Sequence, residues 1–371
     1  MKFVIAKSDF DDALKTVSPT LSGGDDVRSH FLFRCSEKEI EILSAGGTSF
    51  SMTPLVGVKV EEYGESFTVE GKRLRNWLSV VDEGQTITVT FDPETRYTTF
   101  SEKRGSQKFA SLDPSLFPSW DKQLQDSKKT MVISAERLRN ALDHAKDFVY
   151  ADSDRAILNV AEFKSGELRS SNILCLSSVA VEGSEECTSR FYQKNIGPAI
   201  KFLSLFGDAD VEILEHEMMS FIKTPEGALF GETGWSAKFP DISIPSQDPS
   251  DVWRVSRDEV RKAFAWLKAG AQKDDDRVIL SRNGDVVNAE MVSLTGESIQ
   301  YEIGCPEHTG DGSDLPEGGV PVPSDWLVKS MESSGDDMVS LEIIPIEPAG
   351  VIRVTTSRGP DKFQTFVGWK K

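Results

Sequence analysis

A repeat with a domain-sized period constrains this chain more than any other feature. Three stretches share one design: a short alternating apolar run, a small residue followed by acids, then residues spaced to bury one face of a helix. They are Val4-Ile5-Ala6-Lys7-Ser8-Asp9-Phe10-Asp11-Asp12-Ala13-Leu14, Met131-Val132-Ile133-Ser134-Ala135-Glu136-Arg137-Leu138-Arg139-Asn140-Ala141-Leu142 and Trp253-Arg254-Val255-Ser256-Arg257-Asp258-Glu259-Val260-Arg261-Lys262-Ala263-Phe264. Ala13-Leu14, Ala141-Leu142 and Ala263-Phe264 coincide at an offset of about 122 to 128 residues, the size of an ordinary domain. Ser8, Ser134 and Ser256 are expected to cap the three helices by accepting from an unpaired N–H of the first turn.

A second helix is expected midway through each unit, over 71–81, 193–206 and 324–334, from apolar residues on one face such as Leu74, Trp77, Leu78 and Val81. Pro198 is expected in the first turn of its helix, where a missing N–H costs nothing. Runs such as Thr86-Ile87-Thr88-Val89-Thr90-Phe91 and Ser340-Leu341-Glu342-Ile343-Ile344 alternate as half-buried strands do. Leu116-Phe117-Pro118 and Lys238-Phe239-Pro240-Asp241 close the first two units, and polar linkers are expected at 121–129 and 246–251. The fold class is therefore α+β: three tandem modules, 1–122, 130–246 and 251–371, each with antiparallel strands and two helices packed on one side.

The charge of -18 argues against a nucleic-acid partner only if it is spread evenly. It is not. The six expected helices (8–17, 71–81, 134–146, 193–206, 257–271, 324–334) hold 14 Lys and Arg against 9 Asp and Glu, so they are positive while the rest of the chain is strongly acidic. Four carry the excess, and their cations are the candidate DNA contacts: Lys72, Arg73 and Arg75; Arg137, Arg139 and Lys146; Lys194 and Lys201; Arg261, Lys262 and Lys268, with Arg257 beside them. Lined along a common channel, they would touch phosphates without reading bases. The bland alternative is a solvated helix face, which suffices for any one helix taken alone.

Catalytic signatures fail. His216-Glu217 starts like a zinc-protease helix, but Ser220 stands where the second histidine should be. Gly71-Lys72 lacks the rest of a phosphate loop, no G-x-S-x-G elbow occurs, and Cys305 with His308 has too few companions for a metal. Asp274-Asp275-Asp276 and 310–319 lack the ligand alternation of a calcium loop. No enzymatic activity, metal or cofactor is expected. The four cysteines are unpaired in spacing and expected to be free. The apolar stretch at 3–6 is too short for a secretory leader and no run would span a bilayer, so a cytoplasmic protein without membrane partners is expected. Trp77 is expected in the core and Trp266 exposed; Trp369 is expected either to cap the last strand or to border a binding pocket.

Taken together, Met1-Lys2-Phe3-Val4 with its helix and Thr16-Val17-Ser18, the helix following Val69, Leu112-Asp113-Pro114-Ser115-Leu116-Phe117-Pro118, Gly166-Glu167-Leu168-Arg169-Ser170 and Lys238-Phe239-Pro240-Asp241 resemble, in order and spacing over essentially the whole chain, the bacterial-type DNA sliding clamp, the β subunit of the replicative polymerase. The resemblance implies a processivity factor: a head-to-tail homodimer of three-domain subunits with sheets outside and helices inside, forming a ring around duplex DNA in the cytoplasm at the nucleoid. It implies a replicative DNA polymerase and an ATP-dependent clamp loader as partners, each docking a peptide in an apolar pocket. Carried onto this sequence, that pocket comprises Ile173, Leu176, Pro240, Ile242, Val367 and Trp369, and the dimer contact would join 108–112 to the third module. Ile173-Leu174-Cys175-Leu176-Ser177 replaces the family's threonine-aspartate-glycine-histidine-arginine stretch, which marks a divergent clamp such as a phage-encoded one. The competing reading is a clamp-like scaffold that recruits replication or repair partners without encircling DNA.

Overall fold

The computed structural model describes the chain except residues 25, 38, 234–238, 243–244, 272–276, 293–295, 311, 313–314, 317, 333, 347–348, 359 and 371, and except the side chains at 153, 349, 369 and 370. Lys238 and Asp274-Asp275-Asp276 thus lie outside the described residues, as does the side chain of Trp369. The chain divides into two compact units, Met1–Arg139 with Ser189–Ser236 and Asn140–Thr188 with Ala237–Lys371.

The repeat is visible as hydrogen bonding. Strands Lys2–Ala6, Lys128–Ser134 and Asp251–Ser256 each pair antiparallel with a later strand, Thr86–Asp92, Asp210–His216 and Met338–Ile346 respectively. The register ends identically: Ala6 opposite Thr86, Ser134 opposite Asp210 and Ser256 opposite Met338. The first N–H of the following helix then donates to the carbonyl just before the partner strand, Lys7 to Gln85 (2.9 Å), Ala135 to Ala209 (2.8 Å) and Arg257 to Asp337 (2.8 Å). One otherwise unpaired N–H of each helix start is thereby satisfied by tertiary structure.

This arrangement corrects one expected cap. Ser134 accepts from the Arg137 N–H at 3.3 Å and Ser256 from the Glu259 N–H at 3.4 Å. Helix Lys7–Val17 instead begins one residue before Ser8, follows Ala6, and has no side-chain cap. Ala6 occupies the position of the other two serines, while Ser8 is inside the first turn, bonded to Asp9. The other helices are Gly71–Leu78, Ala135–Lys146, Gln193–Leu203, Arg257–Gly270 and Ser324–Glu332, close to expectation. Pro198 is not in a first turn, because strand Arg190–Tyr192 runs straight into the helix at Gln193 and leaves Pro198 in its interior. The expected linker at 121–129 is shorter than anticipated: Asp121–Gln125 is a helical turn, and Lys128 already opens a strand.

Among the described residues the first unit holds a five-stranded and an eight-stranded sheet. Alternation builds its core: Phe3 and Ile5, Ile87, Val89 and Phe91, and Phe100 point to one side, where they meet Phe10, Leu14 and Val17 of the helix. Aromatic rings pack within this cluster, Phe33 on Phe67 at 4.7 Å and Phe10 on Phe100 at 5.9 Å between centroids. In the eight-stranded sheet, Ser49–Pro54 of the first repeat pairs with Leu229–Thr233 of the second. The second unit repeats that seam: Cys175–Ala180 of the second repeat pairs with Asp361–Lys370 of the third. Trp253, Val255, Phe264, Leu267, Leu341 and Ile343 belong to the core of the third repeat. Each seam thus carries main-chain bonding from one repeat to the next, which is why the compact units cut through the second repeat.

Candidate nucleic-acid and partner interfaces

Helix Gly71–Leu78 begins with glycine for a reason of space. A Cβ on Gly71 would lie 2.6 Å from Leu21 Cδ2 and 3.1 Å from Phe31, so the helix start presses directly on the core. With Leu74 and Leu78 also buried, Lys72, Arg73 and Arg75 are left on the exposed face. Trp77 is half-buried against Phe100, as expected of a core residue.

The eleven candidate cations fall into distinct groups. Arg73 lies 3.4 Å from Glu70 and over the Phe109 ring, and Arg139 lies 3.4 Å from Glu136. Arg261 and Lys268 bridge to helix Ser324–Glu332, through Glu332 at 3.8 Å and Asp325 at 2.8 Å. Arg137 is partly buried. Lys72, Arg75, Lys146, Lys194, Lys201 and Lys262 are exposed, and among the described residues no carboxylate lies within ion-pair distance of them. These six place exposed positive charge on four helices of the repeat.

The second candidate site lies in the second unit. A cavity of about 640 Å³ is lined by Arg155, Ile157, Leu158, Ile173, Pro240 and Ile242, with Asp154, Ala156 and Ser171 completing it. Ile173, Pro240 and Ile242 were expected there. Leu176 and Val367 do not line it; they are buried in the sheet on adjacent strands, where Val367 stands opposite Cys175. Sequence reasoning missed Arg155 and Ile157, which belong to the short 3-10 segment Ser153–Leu158, too short to have a readable period.

Ile173 sits at φ +83, a conformation that β-branched residues rarely adopt. The hairpin around it enforces this: the Asn172 N–H donates to the Cys175 carbonyl at 3.1 Å, and the Cys175 N–H to Asn172 Oδ1 at 2.9 Å. The result is an apolar tip, with Ile173 47% and Leu174 51% exposed. Asp241 anchors the facing segment through Lys164 at 2.7 Å, and Lys164 holds its carboxyl below the usual range. In the first unit, a cavity of about 360 Å³ between Leu32, Arg34, Phe50 and the first Phe-Pro closure is partly filled by the chain itself: Trp120 stacks on Phe50 at 3.9 Å, and Arg34 Nη1 donates to Asp121 at 2.6 Å.

Two sheet edges are also open within their units. Ser106–Ala110 borders the five-stranded sheet, with exposed Tyr97 and Leu112 nearby. Ser298–Gly304 borders the four-stranded sheet, and Trp266, 62% exposed as expected, lies 6.4 Å from its Tyr301.

Among the described residues no cluster of His, Cys, Asp and Glu could hold a metal, and no helix is long and apolar enough to cross a membrane. His144 is a core residue: burial pushes its pKa down to about 3, and its Nε2 is 3.2 Å from the Thr365 hydroxyl. The four cysteines form no disulfide, and burial raises Cys35 and Cys175 to about 12, far from a reactive thiolate.

The fold is that of the DNA sliding clamps. Among solved structures, the DNA polymerase III subunit beta of Pseudomonas aeruginosa matches with a TM-score of 0.84 at 16% identity, covering 100% of both chains. The sliding clamp of Bacillus subtilis matches with a TM-score of 0.83 at 13% identity, over 100% of this chain and 99% of that one. The beta subunit of Thermotoga maritima gives a TM-score of 0.83 at 14% identity, over 100% and 99%. No family model and no curated protein matches the sequence.

Proposed function

We propose that this chain is a DNA sliding clamp, a processivity factor without catalytic activity of its own. Three modules, 1–122, 130–246 and 251–371, form each subunit, and two subunits close head to tail into a ring around duplex DNA. The observation that carries this reading is the set of exposed cations lacking carboxylate partners, Lys72, Arg75, Lys146, Lys194, Lys201 and Lys262, on repeated helices of a full-length clamp fold in a chain of charge -18. Contacts from such helices neutralise phosphates irrespective of sequence and are weak enough singly to permit sliding.

The open edges Ser106–Ala110 and Ser298–Gly304 would be covered in the homodimer, the first from one subunit and the second from its partner. The cavity at Ile173, Pro240 and Ile242 is of a size to take a short apolar peptide, and a replicative DNA polymerase and an ATP-dependent clamp loader are the partners that would carry one. Work of this kind is done in the cytoplasm at the nucleoid of a bacterium or of a phage-infected cell.

The test is the mass in solution. The chain should form a dimer of twice 41.0 kDa, and Trp266→Glu, which places a charge beside the open edge, should shift it to monomer without unfolding it. A wild-type monomer at micromolar concentration and on primed DNA would contradict the ring.

A further inference from the structure

The seam between the first and second repeats contains a carboxyl group that binding DNA does not require. Glu232 lies in strand Leu229–Thr233, opposite Ser49 on one side and Ser220 on the other, and its side chain is fully buried. Asn195 Nδ2 donates to its Oε2 at 2.7 Å and the Tyr192 N–H at 3.2 Å, whereas Oε1 has no hydrogen-bond partner among the described residues.

Asn195 also ties the group to the first repeat. Its Nδ2 donates to the Thr48 carbonyl at 3.3 Å and its Oδ1 accepts from the Thr48 hydroxyl at 3.0 Å. The Thr233 N–H and hydroxyl donate to that same carbonyl at 2.9 and 3.1 Å. One carboxyl, one amide side chain and one carbonyl therefore knot the seam from within.

Among the described residues, no cation on the elements around it forms an ion pair with it. Strand Ser49–Pro54 has none, and Lys223 on strand Met219–Lys223 and Lys194 and Lys201 on helix Gln193–Leu203 are exposed. On strand Arg190–Tyr192, the Arg190 main-chain N–H donates to the Ser220 hydroxyl and the Tyr192 N–H donates to Glu232. A buried carboxylate without a cation partner is costly, and an oxygen left without a donor makes it costlier.

We propose that Glu232 is a pH-sensitive latch on this seam: neutral, it stays buried against Asn195 and the seam is closed, while ionised it favours opening of the Ser49–Pro54 and Leu229–Thr233 pair. The sign follows from linkage. Burial raises the Glu232 pKa from 4.5 to about 8, and the open seam returns it toward 4.5. The stabilising effect of the neutral group is fully present below about pH 4.5 and is lost as pH rises toward about 8, above which no more is lost. Within that window, seam opening increases by up to about tenfold per pH unit.

Hydrogen exchange on the full chain tests this. The Thr233 amide, bonded to the Thr48 carbonyl, should lose at least about tenfold in protection between pH 6 and pH 8 after correction for the intrinsic exchange rate. The Phe91 amide, bonded to the Met1 carbonyl in the five-stranded sheet, should not change in parallel. In Glu232→Gln, which keeps the shape and the acceptor for Asn195, Thr233 protection should be the same at both pH values. A flat profile in the wild type, or the same loss in the variant, would overturn the proposal. Should the variant fail to fold, infrared spectroscopy of the wild type decides: a protonated-carboxyl stretch is expected at pH 7, and its absence overturns the latch.

Discussion

Removing Lys72 and Arg75 together should change how binding to duplex DNA responds to salt. Both side chains are exposed on helix Gly71–Leu78, neither has a carboxylate partner among the described residues, and the buried residues Gly71, Leu74 and Leu78 on the opposite face are untouched. The double alanine variant should therefore fold normally, and both replacements favour a helix. If each cation neutralises one phosphate, the slope of log affinity against log salt becomes shallower by roughly 0.9 for each, or about 1.8 per chain. Between 50 and 200 mM salt, a fourfold change, the wild type should lose about 12-fold more affinity than the variant. The assay is fluorescence anisotropy on open-ended duplex across that salt range, with thermal melting to verify the fold. Lys103→Ala, in the exposed hairpin turn between Tyr97–Ser101 and Ser106–Ala110, serves as a control and should leave the slope unchanged. Arg261→Ala should have a smaller effect, because Glu332 already shares its charge. An unaltered slope in a folded Lys72→Ala/Arg75→Ala variant would refute the assignment of this helix to the DNA face.

Two further outcomes follow from local geometry. Ser256→Ala removes the acceptor for the Glu259 N–H and should lower stability by about 1 kcal/mol in denaturant melts, whereas Ser8→Ala, inside the first turn, should lower it by less than about 0.5 kcal/mol. Equal losses would contradict the different helix starts. Ile173→Gly should raise stability by roughly 0.5–1 kcal/mol by relieving the positive φ at the hairpin tip, and a clear drop in the melting midpoint would show that no strain is held there.

Much of this architecture was legible in the sequence because it repeats. The coincidence of Ala13-Leu14, Ala141-Leu142 and Ala263-Phe264 marks one strand-to-helix unit three times, and the structure gives those units one register and one hydrogen bond at the helix start. The same comparison misled at Ser8: the repeat aligns Ala6 with Ser134, and a tertiary bond from Lys7 to Gln85 supports a helix start that local capping rules would reject. Pro198 misled because the preceding strand runs unbroken into the helix, which no turn residue announces.

The sites were less legible than the fold. Cations were easy to place on helices, but only three-dimensional packing distinguishes Lys72 and Arg75 from Lys268, whose charge meets Asp325 on another helix 57 residues away in sequence. The pocket was half legible. Ile173, Pro240 and Ile242 line it, whereas Leu176 and Val367 are buried on opposite faces of the sheet, Val367 beside Cys175 and Leu176 beside Phe366, and Arg155 enters from a segment without periodicity. Glu232 gave no signal at all, since a single acid in the strand Leu-Phe-Gly-Glu-Thr looks like any solvent-facing residue until both of its neighbouring strands are in place.

The central claim is that this chain holds DNA by topology, and retention on closed circular DNA compared with the same DNA after linearisation tests it most directly. Rings assembled on the closed circle by the cognate loader should stay through gel filtration in high salt, where phosphate contacts are screened, and should be lost when one cut allows them to slide off the end. Equal retention on the closed and the linear molecule would contradict encirclement.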